Sequence, residues 1–124
     1  MADARRALRN AFEIAGLQPF DKVILGVSGG SDSLALAAAF AFEGKKHNLV
    51  GHVVVVDHNL QAGSASIANE AAGRTTALGL ESQVVTVKVE LNGEGIEAAA
   101  RAARYSALEN AREELDAKAI LLGH

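Results

Sequence analysis

The chain has 124 residues, 49% hydrophobic and 22% charged, with a single proline, and this balance is typical of one ordered globular domain. It contains no cysteine, which excludes disulfides, a thiolate nucleophile and a cysteine-ligated metal site. The formal charge of −3 provides no broad basic surface for nucleic acid, and no apolar run reaches the roughly 18 residues of a membrane span. We therefore expect a cytoplasmic protein with no membrane contact.

The first segment, residues 2–15, is predicted to form an amphipathic helix. Leu8 and Phe12 begin an apolar stripe, and Gly16 is expected to end the helix. Three arginines lie nearer the opposite side: Arg5, Arg6 and Arg9. We interpret these arginines as a solvated face rather than as an RNA contact.

A short strand and a helix follow. Residues 23–27 are apolar and mostly β-branched, which is typical of a strand buried on both faces of a parallel sheet. Residues 34–42 are mostly Ala, Leu and Phe without a breaker, which predicts a helix that Gly44 ends. The segment between them therefore joins the C-terminal end of a strand to the N-terminus of a helix.

This joining loop, residues 28–33, reads Ser-Gly-Gly-Ser-Asp-Ser. The free N–H groups of a first helical turn and the helix dipole favour an anion there. Gly29 and Gly30 allow a ligand to approach the backbone closely. Hydroxyl donors come from Ser28, Ser31 and Ser33. Asp32 would repel bound phosphates unless a divalent cation lay between them, so we assign Asp32 to Mg²⁺ and the loop to the phosphates of a nucleotide.

The sequence of the loop also admits other interpretations. Asp32 or Ser31 could merely cap the helix, but a cap explains neither the two glycines nor the three serines. The Walker loop is excluded because no lysine follows the glycines, and the dinucleotide fingerprint because serine stands where it needs glycine. Residues 26–30 do satisfy the G-x-S-x-G elbow of α/β-hydrolases, so a hydrolase stays open as an alternative.

A second buried strand is predicted over residues 49–56. Asp57, His58 and Asn59 follow at its C-terminal end, where open parallel sheets bind ligands. We assign these three residues to the nucleotide, with His58 available to its base. Ordinary loop capping is the alternative at each position.

The remaining segments continue the alternation of helix and strand. A helix is expected over residues 67–78. An edge strand with one solvent-exposed face is expected over residues 84–89. A long helix over 96–115 precedes a fourth strand over 119–124. The alternation predicts a three-layer α/β/α fold, and right-handed crossovers give an open parallel sheet in the order 3-2-1-4.

The long helix carries two arginines and a tyrosine along one face. Arg101, Arg104 and Tyr105 follow Glu97 at helical spacing, among alanines that permit close packing. A Glu97–Arg101 surface pair alone would be worth only about 0.3–0.5 kcal/mol. We favour contact of the arginines with phosphate or RNA, for which a bidentate guanidinium is suited.

In four stretches the chain resembles the tRNA(Ile)-lysidine synthases, a family of PP-loop ATP pyrophosphatases. These stretches are the loop at 28–33, Val-Asp-His-Asn-Leu at 56–60, Gly-Ile-Glu-Ala-Ala-Ala-Arg-Ala-Ala-Arg-Tyr at 95–105 and Leu-Leu-Gly-His at 121–124. The loop is typical of the superfamily, and the segment at 95–105 favours this family over the 2-thiocytidine, GMP, NAD and asparagine synthetases.

The resemblance implies an enzyme that uses ATP to adenylate the C2 oxygen of the wobble cytidine of an isoleucine tRNA with a CAU anticodon. L-Lysine then displaces AMP and leaves lysidine. Residues 28–33 would hold the departing pyrophosphate, with Mg²⁺ on Asp32. Asp57, His58 and Asn59 would lie near the base. Asp32, Arg101 and Arg104 would be the catalytic residues, the arginines positioning phosphate, RNA or substrate.

The family pattern extends beyond this chain. After His124 we expect paired aspartates, more sheet and a tRNA-binding region, so residues 1–124 are interpreted as the incomplete N-terminal ATP-binding domain. Such a piece is expected to bind Mg-ATP weakly and to make no lysidine. Two other functions stay open: another PP-loop synthetase with a different acceptor, and a noncatalytic nucleotide-binding module.

Overall fold

The structure, a computed structural model, describes residues 2–28, 30–91, 93 and 95–122. Helices and strands alternate along the chain. In chain order they are α1 (Ala2–Ala15), β1 (Lys22–Val27), α2 (Ser31–Lys46), β2 (Val50–Asp57), α3 (Ser64–Ala77), β3 (Glu81–Thr86), α4 (Ile96–Leu115) and β4 (Ala119–Leu122). No helix in these described ranges is both long and apolar enough to cross a membrane.

The four strands form one parallel sheet in the order β3-β2-β1-β4. β1 is central, and its Val23 pairs with Gly51 of β2 on one side and Ala119 of β4 on the other. The predicted α/β class and the strand order 3-2-1-4 are confirmed. Since all strands run the same way, their C-terminal ends and the following loops meet at one edge of the sheet.

Each face of the sheet is covered by helices. Alternate residues of a buried strand point to opposite sides, so each strand contributes side chains to both cores. Val23 and Leu25 of β1 pack with α1, α2 and α3 in one cluster that includes Phe12 and Phe40. Ile24 of β1 packs on the other face, with residues of β2 and α4. Both faces of β1 are thus buried, which confirms the prediction of a strand buried on both faces of the sheet.

Gly26 lets α4 approach the second face closely. A Cβ at this position would lie 2.6 Å from Leu122 Cδ2 and 3.1 Å from Leu108 Cδ1. Leu108 is fully buried. The absence of a side chain at Gly26 therefore sets how near α4 lies to the end of β1.

The predicted end of α2 at Gly44 is wrong, because the helix continues to Lys46. Gly44 is buried against Phe40, and a Cβ there would lie 2.7 Å from Phe40 Cε1. The missing side chain of Gly44 thus makes room for the Phe40 ring one turn earlier in α2. The helix ends instead at His47, whose N–H donates to the carbonyl of Glu43.

The third strand lies at Glu81–Thr86 rather than at 84–89, and α3 begins at Ser64 rather than at 67. Gly79, with φ of +89°, turns the chain directly after α3, so pairing with β2 begins at Glu81. The Val87 N–H donates to the carbonyl of Asp57 at 2.9 Å, and β2 ends there. The partner strand therefore determines where β3 stops. Its edge position is confirmed.

Arg5 and Arg9 do more than face solvent. Both donate to Oε1 of Glu43, at 3.1 and 3.0 Å, and Glu43 is only 1% exposed. Burial acts to raise the pKa of Glu43, but the hydrogen bond from Arg5 and the charges of Arg9 and Lys46 outweigh it and hold the pKa below its usual value. The interaction joins α1 to α2.

Candidate nucleotide-binding site

The loop between β1 and α2 is shaped by two serine hydroxyls. Ser33 Oγ accepts the Ser28 N–H at 3.0 Å and lies 2.9 Å from the Ser28 carbonyl, to which it can donate. It also lies 3.1 Å from the Ser28 hydroxyl, whose oxygen in turn accepts the Gly30 N–H at 3.2 Å. Ser33 is buried, whereas Ser28 is exposed. The loop is thus closed on its inner side and open on its outer side.

Helix α2 begins without a side-chain cap. Its N-cap residue is Gly30 in an extended conformation, and no side-chain cap bonds this helix end in the described part of the chain, although Ser28 Oγ and Ser33 Oγ contact the N–H and the carbonyl of Gly30 itself. The first helical bond runs from the Leu34 N–H to the Gly30 carbonyl, so the N–H groups of residues 31–33 precede the hydrogen-bonded ladder. The capping interpretation of Ser31 and Asp32 is therefore wrong. Donors and the positive end of the dipole are presented where the sequence predicts phosphates.

A cavity of about 300 Å³ opens beside this loop, at the C-terminal ends of β1 and β2 and between α3 and α4. Its walls combine apolar side chains with a few polar groups, as is usual for small-molecule sites. The lining residues are Gly26, Val27, Ser28, Val54, Val55, Val56, Asp57, His58, Asn59, Leu60, Gln61, Ser64, Ile67, Ala68, Arg104 and Leu108. Ser28 belongs to both the loop and the cavity, so the two form one continuous site.

The end of β2 forms one wall of the cavity. Asp57 is buried and its Oδ1 accepts the Asn59 N–H at 2.9 Å, in a turn that holds Asn59 at φ of +54°. His58 Nε2 lies 3.1 Å from the carbonyl of Ala100 in α4. Because a carbonyl only accepts, Nε2 carries the hydrogen in this contact. This contact ties the end of β2 to α4.

The two predicted arginines of α4 lie in different surroundings. Arg104 is half-buried and lines the cavity. Arg101 is exposed, and its Nη2 donates to the hydroxyl of Tyr105 at 3.1 Å. Only Arg104 therefore joins the cavity wall.

The structure brings most of the predicted site residues together. Ser28, Asp57, His58, Asn59 and Arg104 share the cavity, and Gly30, Ser31, Asp32 and Ser33 form the adjoining loop and first turn of α2. Gly29 lies outside the described residues, as does His124. The ligand roles of all these residues stay predictions.

Sequence reasoning missed the apolar part of the site. Ile67 and Ala68 of α3 line the cavity, as does Leu108 of α4. The sequence pattern predicted only that these residues lie in helices. Their contribution follows from how both helices dock on the sheet.

A divalent cation is compatible with the residues present. In the described ranges there is no cluster of three or more His, Asp or Glu side chains able to hold a metal. A Mg²⁺ ion on Asp32, which is exposed in the first turn of α2, would take its other ligands from phosphate oxygens and water. That donor set is the one Mg²⁺ commonly has beside nucleotides.

The geometry does not favour the hydrolase alternative. Within the part of the chain that the structure describes, Ser28 Oγ contacts Ser33 Oγ and the Gly30 N–H, and no histidine bonds to it. A serine nucleophile needs a base within hydrogen-bond reach. The elbow-like spacing of residues 26–30 is thus not accompanied by a catalytic base in the described part of the chain.

Comparison with known proteins agrees with this geometry. A family model described as a PP-loop domain matches residues 2–124. The tRNA(Ile)-lysidine synthase of Leifsonia xyli subsp. xyli is 50% identical over 109 residues, covering 87% of this chain and 32% of the relative. That of Rhodococcus jostii is 46% identical over 123 residues, covering 98% of this chain and 35% of the relative. The chain thus spans about a third of the length of these curated relatives.

A solved structure has the same fold. The U34-tRNA thiolase NcsA from Methanococcus maripaludis, described with its 4Fe–4S cluster, superposes with a TM-score of 0.83 at 20% sequence identity. The match covers 99% of this chain and 45% of the thiolase. At this identity the likeness establishes the shared fold alone.

Proposed function

This chain belongs to the PP-loop domain family, and we propose that it is the ATP-binding part of a tRNA(Ile)-lysidine synthase. Family membership indicates ATP binding. The proposed reaction joins L-lysine to C2 of the wobble cytidine of an isoleucine tRNA with a CAU anticodon, through an adenylated intermediate. Support comes from relatives of that name at 42–50% identity.

One observation carries the proposal. The uncapped N-terminus of α2 opens onto a loop that is continuous, through Ser28, with a cavity at the carboxyl edge of the sheet. This arrangement offers a nucleoside the cavity and its phosphates the loop. The N–H groups of residues 31–33 would then face the phosphates.

The loop would act electrostatically. Cleavage of ATP between its α- and β-phosphates leaves negative charge on pyrophosphate, and backbone N–H groups and the α2 dipole stabilise such charge without rearranging. When bound, Mg²⁺ on Asp32 supplies further positive charge beside the phosphates. Ser33 holds the loop in shape through its bonds to Ser28.

The cavity would receive adenosine. Apolar side chains of Val54, Val56 and Ile67 suit the faces of a base, while Asp57, His58 and Asn59 offer polar groups to its edge or to the ribose. Arg104 lines the cavity from α4 and is proposed to bind a phosphate. A partly dry site also favours loss of the proton from the lysine ε-amine, which must be neutral to attack.

Lysidine formation is proposed for a polypeptide longer than these 124 residues. The chain spans about a third of the named relatives, and we propose that further segments supply most of the tRNA binding. Residues 1–124 alone are proposed to bind Mg-ATP weakly. ATP and tRNA are both cytoplasmic, so we place the reaction in the cytoplasm.

The site of ATP cleavage tests the proposal. The full-length gene product, given α-labelled ATP and unmodified isoleucine tRNA, should transfer labelled AMP to the tRNA, and it should release free AMP over many turnovers only when lysine is added. Labelled ADP would contradict the PP-loop chemistry. ATP binding without cleavage would favour a noncatalytic module, and continuous release of AMP with tRNA but without lysine would favour another PP-loop synthetase.

A further inference from the structure

We infer that Arg101 and Tyr105, here called the α4 platform, form a stacking surface for an unpaired nucleobase of the RNA substrate. The α4 platform is distinct from the nucleotide cavity, which Arg104 lines. This inference rests on the proposed function, because it assigns the RNA of that reaction a place on the chain.

The phasing of α4 separates its two arginines. Leu108 lies one turn after Arg104, is fully buried and lines the cavity, so this side of the helix faces the sheet. Arg104 is half-buried on that side. Arg101 lies three residues earlier and is exposed. The side chains are neighbours on the helix, yet they face a nucleotide cavity and open solvent respectively.

Arg101 and Tyr105 hold one another in place. The guanidinium carbon of Arg101 lies 5.1 Å from the centroid of the Tyr105 ring, and its Nη2 donates to the hydroxyl at 3.1 Å. Tyr105 is 37% exposed. A cation–π contact with a hydrogen bond limits the rotamers of both groups, so less conformational freedom is lost when a ligand binds.

The α4 platform adjoins the mouth of the cavity. His58, in the cavity wall, contacts the carbonyl of Ala100, the residue directly before Arg101. An RNA whose reacting base meets a nucleotide bound in the cavity would therefore bring its neighbouring nucleotides past Arg101. Aromatic rings and guanidinium planes are the groups on which splayed RNA bases stack.

Charge favours an unpaired base over a duplex backbone at this position. Glu97 is exposed one turn before Arg101, and the chain as a whole carries a formal charge of −3. A run of duplex phosphates would meet this acidic residue, and non-specific RNA binding depends on many cations. A single stacked base places no run of phosphates beside Glu97 and does not require many cations.

The experiment measures binding of two ligands by the full-length gene product. The RNA probe is a synthetic, dye-labelled hairpin with CAU in its loop, followed by fluorescence anisotropy, and ATP is followed by calorimetry. Tyr105→Ala should weaken hairpin binding by about 5- to 150-fold, the usual range for loss of one stacked base. It should leave ATP affinity unchanged. Tyr105→Phe keeps the ring and should bind the hairpin nearly as well as the unsubstituted protein.

Two further variants complete the test. Arg104→Ala should weaken ATP binding by about 10-fold or more, as expected for loss of a charged hydrogen-bond donor. Arg74→Ala removes an exposed guanidinium from α3, where it bonds Glu70, and should change neither affinity. Thermal unfolding of each variant verifies that it folds.

Several results would overturn the inference. They are an unchanged hairpin affinity in Tyr105→Ala, an equal loss of ATP and hairpin binding in that variant, and equal affinity of the unsubstituted protein for the hairpin and for a fully paired duplex of the same length. Hairpin binding that is absent while ATP still binds also overturns it. Failure to bind ATP at all would instead contradict the proposed function.

Discussion

The hydroxyl oxygens of Ser28 and Ser33 lie 3.1 Å apart and close the loop between β1 and α2 from its inner side. Ser33 also accepts the Ser28 N–H, so one buried side chain bonds both the backbone and the side chain of Ser28. The open face of the loop is left to the backbone N–H groups and to Asp32. The shape of the loop thus depends on Ser33, and we propose that ligand contact depends on the backbone N–H groups and Asp32.

Replacing Ser33 tests this arrangement. Ser33→Ala removes the acceptor of the Ser28 N–H and the contact between the two hydroxyls, and the loss of a hydrogen bond costs about 0.5–1.5 kcal/mol. We expect ATP binding to weaken by at least about fivefold, measured by calorimetry on the chain. Ser66→Ala, at an exposed position in α3, is the control and should bind as before. Unchanged affinity in Ser33→Ala would show that the loop keeps its shape without this hydroxyl.

The assignment of Asp32 to Mg²⁺ predicts an altered metal dependence. Asp32→Asn removes the carboxylate but keeps its size, so added MgCl₂ should strengthen ATP binding far less than in the unsubstituted chain. Without Mg²⁺ the variant should bind ATP at least as well, because a negative charge beside the phosphates is gone. Asp3→Asn, in the first turn of α1, is the matched control. An unchanged response to MgCl₂ in Asp32→Asn would contradict the assignment.

The buried carboxylate of Glu43 predicts how stability depends on pH. Its pKa is held below the usual value of 4.5, mainly by Arg5 and Arg9 against the effect of burial. A lowered pKa in the folded state contributes stability at pH above about 4.5, and this contribution is lost as the pH falls through the folded-state pKa. Glu43→Gln should therefore lower the unfolding temperature at pH 7 and flatten its decline below pH 4.5.

Glu70→Gln provides the comparison for this experiment, because Glu70 is exposed and pairs with Arg74 across one turn of α3. It should change the unfolding temperature little at either pH. Equal behaviour of the two variants would show that the contact of α1 with α2 does not depend on the charge of Glu43.

Two glycines predict opposite effects of an added methyl group. Gly26→Ala brings a Cβ to 2.6 Å from Leu122 and 3.1 Å from Leu108, so overpacking should cost about 1–3 kcal/mol and move α4 away from the cavity. Gly73 lies within α3 with open space around it, and Gly73→Ala should stabilise the chain by up to about 1 kcal/mol. Urea unfolding measures both. A stabilising Gly26→Ala would contradict the described packing of α4.

Much of the fold could be predicted because it depends on local pattern. The bounds of α1 and α4 agree with the sequence prediction, and the apolar runs identified the two inner strands. The placement of β3 could not be predicted, because it depends on a tertiary contact: β3 takes its register from β2. The predicted end of α2 is too early, because Gly44 makes room for the Phe40 ring one turn earlier in the same helix and does not end that helix.

The positions of the site residues could likewise be predicted only where they follow from local pattern. Residues that directly follow β1 and β2 could be placed at the carboxyl edge, since a parallel sheet brings these ends together. The different surroundings of Arg101 and Arg104 could not be predicted from their spacing, because residues three apart are neighbours on a helix surface and the sequence assigned both to one face. The docking of Leu108 on the sheet decides which of them reaches the cavity.

The central claim is that this chain serves lysidine formation, and incorporation of labelled lysine tests it most directly. The full-length gene product is incubated with Mg-ATP, labelled L-lysine and unmodified isoleucine tRNA bearing a CAU anticodon, with Asp32→Ala as the control variant. We predict that label enters the tRNA and that Asp32→Ala abolishes incorporation. Absence of label from a protein that still binds ATP would contradict the claim and direct the search to other acceptors of PP-loop enzymes.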